Sequence, residues 1–252
     1  MSAYPSILSV AEYAKWTKNW ENAEHHRGPF DFFMHKGKVQ TGVIFHFDSL
    51  RYLFSTTGVV RIKIKFGLSE PIDGDNPRFH PILFGVDGND TIITPYFVSS
   101  SFTHHHHYPK DEEGTGNLPQ ELMRLWKKSW RKNVSDGTVD QRMFFLTRHD
   151  GGFLKGYTYE LKEIMSAVGA LSGTSDIHIK FGLHKYYTVP TEQEPTLSFV
   201  HTFGLMFYAG IKVDDAASAD LNILDKQADG VDGEVVDESG YYDFSAPCPF
   251  TC

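Results

Sequence analysis

The string "RIKIKFGLSEP" at residues 61–71 returns as "DIHIKFGLHKY" at residues 176–186, both carrying the pattern I-x-I-K-F-G-L. Such a recurrence constrains the fold when its surroundings recur in the same order, and here they do. Upstream of Phe66 lies Gly42 in "TGVIFHFDSLRYLF"; upstream of Phe181 lies Gly156 in "KGYTYELKEIMSAV". Further upstream, "AKWTKNWEN" with Trp16 and Trp20 faces "RLWKKSWRKN" with Trp126 and Trp130, and between these markers stand "FFMHKG" and "FFLTRHDG". The reading is an internal duplication, with one unit over residues 6–97, a His-rich linker over 98–116, a second unit over 117–211 and a tail over 212–252.

Each unit reads as helix, strand, helix, strand, strand. Ser9 with Glu12 forms a capping-box pattern, after which Tyr13, Trp16 and Trp20 recur at helical spacing as a buried stripe; Asn117, Pro119 and Gln120 start the matching helix. "FDFFMH" and "RMFFLT" read as short aromatic strands. In "RIKIKFG" the period-two alternation puts Ile62, Ile64 and Phe66 on a core face and Lys63 and Lys65 on a solvent face. His178, standing where the first unit has Lys63, is expected in solvent for the same reason. "HPILFGVDGND" follows as a strand closed by a Gly/Asn/Asp turn, and "SFVHTFGLMFYAG" takes that role in the second unit. The predicted class is α+β, two like units packed about a pseudo-twofold axis.

Charge is uneven along the chain. The formal net charge is −8, yet residues 214–243 hold ten acids against Lys226 alone. General acidity argues against a nucleic-acid binder, because phosphate contacts need a basic surface, but the charge is localised in the tail rather than spread. The N-terminal apolar stretch is too short for a signal peptide or a membrane span, and the two cysteines, Cys248 and Cys252, stand at the C-terminal end. A cytoplasmic protein held by hydrophobic burial is expected.

The run "IKIKFGL", then "HPILFGVDGNDTI", the "WTKNW" helix and the terminus "CPFTC" together resemble a group of small uncharacterised proteins of Bacteroidetes bacteria. Members share an aromatic-rich helix, an I-x-I-x-[YF]-[YF]-G strand, a strand ending G-V-[ND] and a Cys/Pro-rich terminus. The match covers the first unit and the tail, whereas the second unit has "FGLMFYAGIK" in place of G-V-[ND]. The resemblance implies no activity and no catalytic residue.

No H-E-x-x-H, G-x-S-x-G, Walker loop or G-x-G-x-x-G pattern occurs, so no catalytic residue is nominated. His104 to His107 form a run in the linker; in an extended chain His104 and His106 face one way and form the candidate site for a divalent metal. His35 and His149 share a place two residues before a glycine, read as a turn feature, with paired ligands as the alternative. On the second helix Arg124, Lys127, Lys128, Arg131 and Lys132 read as the solvated face of a helix whose tryptophans are core. Arg124, Lys128 and Arg131 are the candidate receptor for the acidic tail, of the same or a neighbouring subunit, through charge complementarity.

The tail has two characters. Its acidic stretch reads as a flexible linker, its glycines and aspartates lacking the spacing of a calcium loop. Beyond it, Tyr241, Tyr242, Phe244 and Phe250, with Cys248 and Cys252 among prolines, are too aromatic for a linker and read as a docking peptide. The expected function is therefore a non-catalytic interaction or self-assembly protein whose partner is itself or another protein. The alternatives are a histidine-dependent metal-binding protein or metalloenzyme, and a small-ligand site between the two units.

Overall fold

The computed structural model describes residues 7–25, 31–35, 37–71, 76–99, 101–103, 120–137, 144–145, 152–168, 176–187, 199–210 and 242–243. Among them the chain is α+β, combining helices with antiparallel sheets. Helix α1 (Val10–Asn22) starts at the expected capping box: the Glu12 amide donates to Ser9 Oγ at 3.2 Å, and the Ser9 amide donates to Glu12 Oε2 at 2.9 Å. Helix α2 spans Phe47–Ser55, α3 Gln120–Ser135 and α4 Leu161–Val168.

Two five-stranded sheets carry the body. The first runs in the order β1 (Ile7–Leu8), β7 (Tyr96–Val98), β6 (Phe79–Val86), β5 (Arg61–Leu68), β9 (Gly156–Glu160). The second runs in the order β12 (Tyr242–Asp243), β11 (Phe199–Gly210), β10 (Asp176–Tyr187), β4 (Gly42–Phe45), β8 (Ser101–Thr103). A small hairpin joins β2 (Met34–His35) to β3 (Lys38–Val39). The repeated strings are the central strands β5 and β10, each paired antiparallel with the strand that follows it.

The short strands beside them are exchanged. β4 comes from the first half of the chain and pairs with β10, whereas β9 comes from the second half and pairs with β5. The exchange is built from the same contacts twice. The Phe66 amide donates to Lys155 O and the Phe181 amide to Thr41 O, each at 2.9 Å. The Trp20 indole N–H donates to Leu154 O and that of Trp130 to Gln40 O, again each at 2.9 Å. Gly42 and Gly156 sit where a Cβ would strike the carbonyl oxygens of Ile179 and Ile64 respectively, and Gly156 has φ +152°. The backbones cross too closely for any side chain there.

The Ile/Phe faces of β5 and β10 meet in one core. Phe33 and Phe145 stack with centroids 5.8 Å apart, and Phe66 and Phe79 contact Phe203 and Phe181 across the two sheets. Tyr157 donates its hydroxyl to Phe203 O, which satisfies that phenol inside the core. Each fully buried aromatic of this set contributes about 1.5–3 kcal/mol of apolar transfer.

Three expectations are corrected. The aromatic segments are not the short strands expected: Asp31–Phe33 is a 3-10 turn and only Met34–His35 pairs, while Phe144 and Phe145 lie outside any strand. Phe33 O accepts from Gln40 N and Phe145 O from Leu154 N, each at 2.6 Å, so these segments turn back to seat one phenylalanine each in the core. The lysine face of β5 is not a solvent face, because α1 crosses it; Lys63 is buried and reaches Asp90 at 3.4 Å, and Lys180 is buried in the second sheet. His178, on the same row face as Lys180, is partly buried rather than in solvent.

Candidate functional site

The helix crossings are set by glycine. A Cβ at Gly67 would lie 3.1 Å from Trp16 Cβ, and one at Gly182 would lie 3.0 Å from Trp126 Cβ. Leaving out that methyl group lets each helix rest on its hairpin with a tryptophan against the strand. Under α1 the surface is aromatic and apolar: Tyr13 stacks on Tyr96 at 3.8 Å and meets Phe84 edge-on, while Trp16 lies over His80 at 4.7 Å. Burial pushes His80 down to about 4, with Arg78 adding to the effect.

Under α3 the chemistry changes. Trp126 stacks on His184 at 3.8 Å, and that imidazole fills the space that a side chain at Gly204 would need. Met123, Trp126 and Met206 form a separate apolar cluster. Beside it lie Lys127, 1 % exposed, and Lys180, 7 % exposed. Burial first, then Lys180 and Arg124, push Lys127 down to about 7. Burial and Lys180 push His178 down to about 3. Lys127 and Lys180 are thus brought together beneath one helix.

The edge of this sheet is occupied by the far end of the chain. In β12, Tyr242 is registered opposite Phe207 and Asp243 opposite Met206. The first sheet has the same pairing, with Phe97 of β7 opposite Leu83 and Val98 opposite Ile82, but there β1 lies beyond β7. The difference lies in the connection: β6 reaches β7 through residues 87–95, whereas β11 and β12 are separated by residues 211–241 and most of the acidic stretch.

Of the predicted interaction residues, Tyr242 lies in this edge strand, whereas Tyr241, Phe244, Cys248, Phe250 and Cys252 fall outside the described residues. Arg124 is partly buried and pairs with Glu121 at 3.3 Å; Lys128 and Arg131 are exposed on α3. The expectation that Lys127 belongs to a solvated face is corrected, since it packs inward between α3 and β10. Sequence reasoning missed Lys127, Lys180, His184 and Met206 as neighbours. The signal was present in Gly67 and Gly182, whose missing side chains mark the strand face that a helix covers.

The metal candidates His104 and His106, and His149, lie outside the described residues; among the described residues no group of three or more potential ligands comes together. Arg78 Nη2 donates to His35 Nε2 at 3.2 Å, beside the ring of Phe102. A cleft of about 350 Å³ is lined by Asn19, Asn22, Leu68 and Glu70, all from the first half. Glu70, the one carboxylate among its described lining residues, is held below the usual range by the Asn19 amide and by Lys15 at 3.2 Å. No helix among the described residues is long and apolar enough to cross a membrane. No family model, curated protein or solved structure matches the chain.

Proposed function

We propose that this chain is a non-catalytic interaction or self-assembly protein, built by duplication of one α+β unit, whose C-terminal segment docks as an edge strand on its own body or on a neighbouring subunit. The observation that carries the reading is the pairing of β12 with β11 in the register by which β7 pairs with β6. The last strand of the second sheet is thereby supplied by a remote segment. At about 3.3 Å per extended residue, the intervening chain is long enough to serve its own sheet or another copy's. An edge strand delivered on such a connection is the element that domain-swapped assemblies exchange.

The matched pairs of backbone and indole hydrogen bonds support the duplication, because unrelated halves have no reason to repeat crossing glycines, tryptophans and carbonyl acceptors in one order. The kinship with the Bacteroidetes group rests on the strand and terminus motifs and is proposed on them alone.

The test is solution mass by light scattering across a concentration series, full-length chain beside a chain ending at Ile211. Particles above monomer mass that revert to monomer on truncation support assembly through the tail. A monomer in which truncation lowers stability supports docking on its own body. Equal mass and equal stability for both chains contradict the proposal.

A further inference from the structure

The registers align the two halves residue by residue. Leu83 stands opposite Ile64 and Phe207 opposite Ile179, within the repeated strings; Phe97 stands opposite Leu83 and Tyr242 opposite Phe207. Tyr242 therefore takes the place of Phe97, and Asp243 that of Val98. In the first half the chain then changes sheet. Two residues beyond β7 it enters β8, which pairs with β4 of the other sheet, Ser101 opposite Ile44, Phe102 opposite Val43 and Thr103 opposite Gly42. The same count from Asp243 arrives at Ala246, Pro247 and Cys248, which lie outside the described residues. The counterpart of β4 is β9, its Gly156 matching Gly42 at the crossing, and β9 is the last strand of its sheet among the described residues.

The bonds from β9 to β5 fix which backbone groups β9 turns the other way. The Phe66 amide donates to Lys155 O and the Leu161 amide to Val60 O. Antiparallel neighbours exchange bonds at every second residue, so Tyr157 and Tyr159 bond toward β5, while Gly156 and Thr158 direct their N–H and C=O away from it. A strand added in the register of β8 on β4 bonds Gly156 with Cys248 and Thr158 with Ala246. Pro247 then stands opposite Tyr157 with its nitrogen facing away from the sheet, where an edge strand tolerates proline. A slip of one residue would put Pro247 at a bonding position and break the ladder.

We infer that residues 246–248 form an edge strand on β9, so that the C-terminal segment docking on the second sheet through β12 also closes the first, as β8 closes the second. The inference rests on the docking reading above and adds a second docking edge, served by whichever copy supplies β12. Pro249, two residues beyond Pro247, likewise lacks an outward donor, so the added strand is a poor template for a further one and ends the sheet.

The test is amide hydrogen exchange read residue by residue, under reductant, in the full-length chain, in a chain ending at Phe244 that keeps β12, and in the variants Ala246→Pro and Pro247→Ala. Ending the chain at Phe244 is expected to lower protection of the Gly156 and Thr158 amides about tenfold and to leave Tyr157 and Tyr159 within about twofold. Ala246→Pro, which removes a donor to Thr158 O, should lower protection of the same two amides, and Pro247→Ala should leave them unchanged. Should the shortened chain not fold, the two point variants decide the matter. Gly156 and Thr158 equally protected with and without residues 245–252, or a loss shared equally by Tyr157 and Tyr159, overturns the inference while leaving β12 docking intact. So does protection of Gly156 and Thr158 that survives truncation and falls on dilution, since two copies would then be pairing through β9. Protection over residues 203–210 that is the same in the full-length chain and in one ending at Ile211 overturns the docking reading itself.

Discussion

A helix crosses a hairpin twice in this molecule, over different surfaces. Beneath α1 the helix meets Ile82, Phe84, Tyr96 and His80, an apolar and aromatic bed whose next strand, β7, follows directly from the hairpin and is itself flanked by β1. Beneath α3 it meets Met206, His184, Lys180 and its own Lys127, and the edge strand arrives from the end of the chain. The inner faces hardly differ: Ile62, Ile64 and Phe66 match Ile177, Ile179 and Phe181, all buried in one shared core. Function is therefore sought where the halves diverge, on the outer face of the second sheet, and stability where they agree.

The shared crossing gives the largest expected effects. Gly42→Ala and Gly156→Ala each drive a methyl group into a backbone carbonyl, and Gly156 adds a φ that L residues rarely adopt. Each should cost about 3 kcal/mol or more in urea unfolding, with both sheets lost in one transition because each holds a strand of the other half. Two separate transitions would break the picture of one exchanged core.

Trp20→Phe and Trp130→Phe come next. Each removes a buried indole bond to a carbonyl of the opposite half and leaves a gap among aromatic rings. About 2 kcal/mol is expected at both sites. Costs differing by more than a factor of two would show that the matching hydrogen bonds are not energetically equivalent.

The smallest effect is a pH dependence that separates the outer faces. Lys127 is pushed down to about 7 in the folded state from an ordinary value of 10.5, and Lys65, under the opposite helix, to about 8. A lysine depressed on folding binds more protons when unfolded, so stability rises with pH between the folded and unfolded values. Lys127 therefore contributes a rise from about pH 7 to 10.5 and Lys65 one from about pH 8. Thermal melts should show the lower limb vanish in Lys127→Met and the upper limb shrink in Lys65→Met. An unchanged profile in Lys127→Met would remove the cationic face from the account.

Much of the scaffold was legible because it follows from local rules. The Ser9 capping box, the Asp87–Asp90 turn with Asp90 at φ +64°, and the hairpins flanking it stand where pattern and turn chemistry put them. The strand exchange was not legible, since pairing partners leave no trace in a two-residue period; only the crossing glycines carry it. The lysine face was misjudged because alternation reports which side chains differ in polarity and not what lies above them. The candidate site was half legible. Arg124 and Tyr242 were singled out, but Lys180 was hidden inside a repeated string, where recurrence argued for scaffold, and Lys127 inside a basic run that resembles any solvated helix face.

The central claim is that residue 242 lies against residue 207, whichever copy supplies it. Cysteines at these positions, in a chain with Cys248→Ser and Cys252→Ser, would be direct antiparallel neighbours with Cβ atoms about 5 Å apart, near enough to oxidise together. The account predicts a disulfide between Phe207→Cys and Tyr242→Cys, within one chain or between two, and none between Tyr242→Cys and His201→Cys farther along the strand. Failure of the first pair to oxidise, or equal yield from the second, would contradict it.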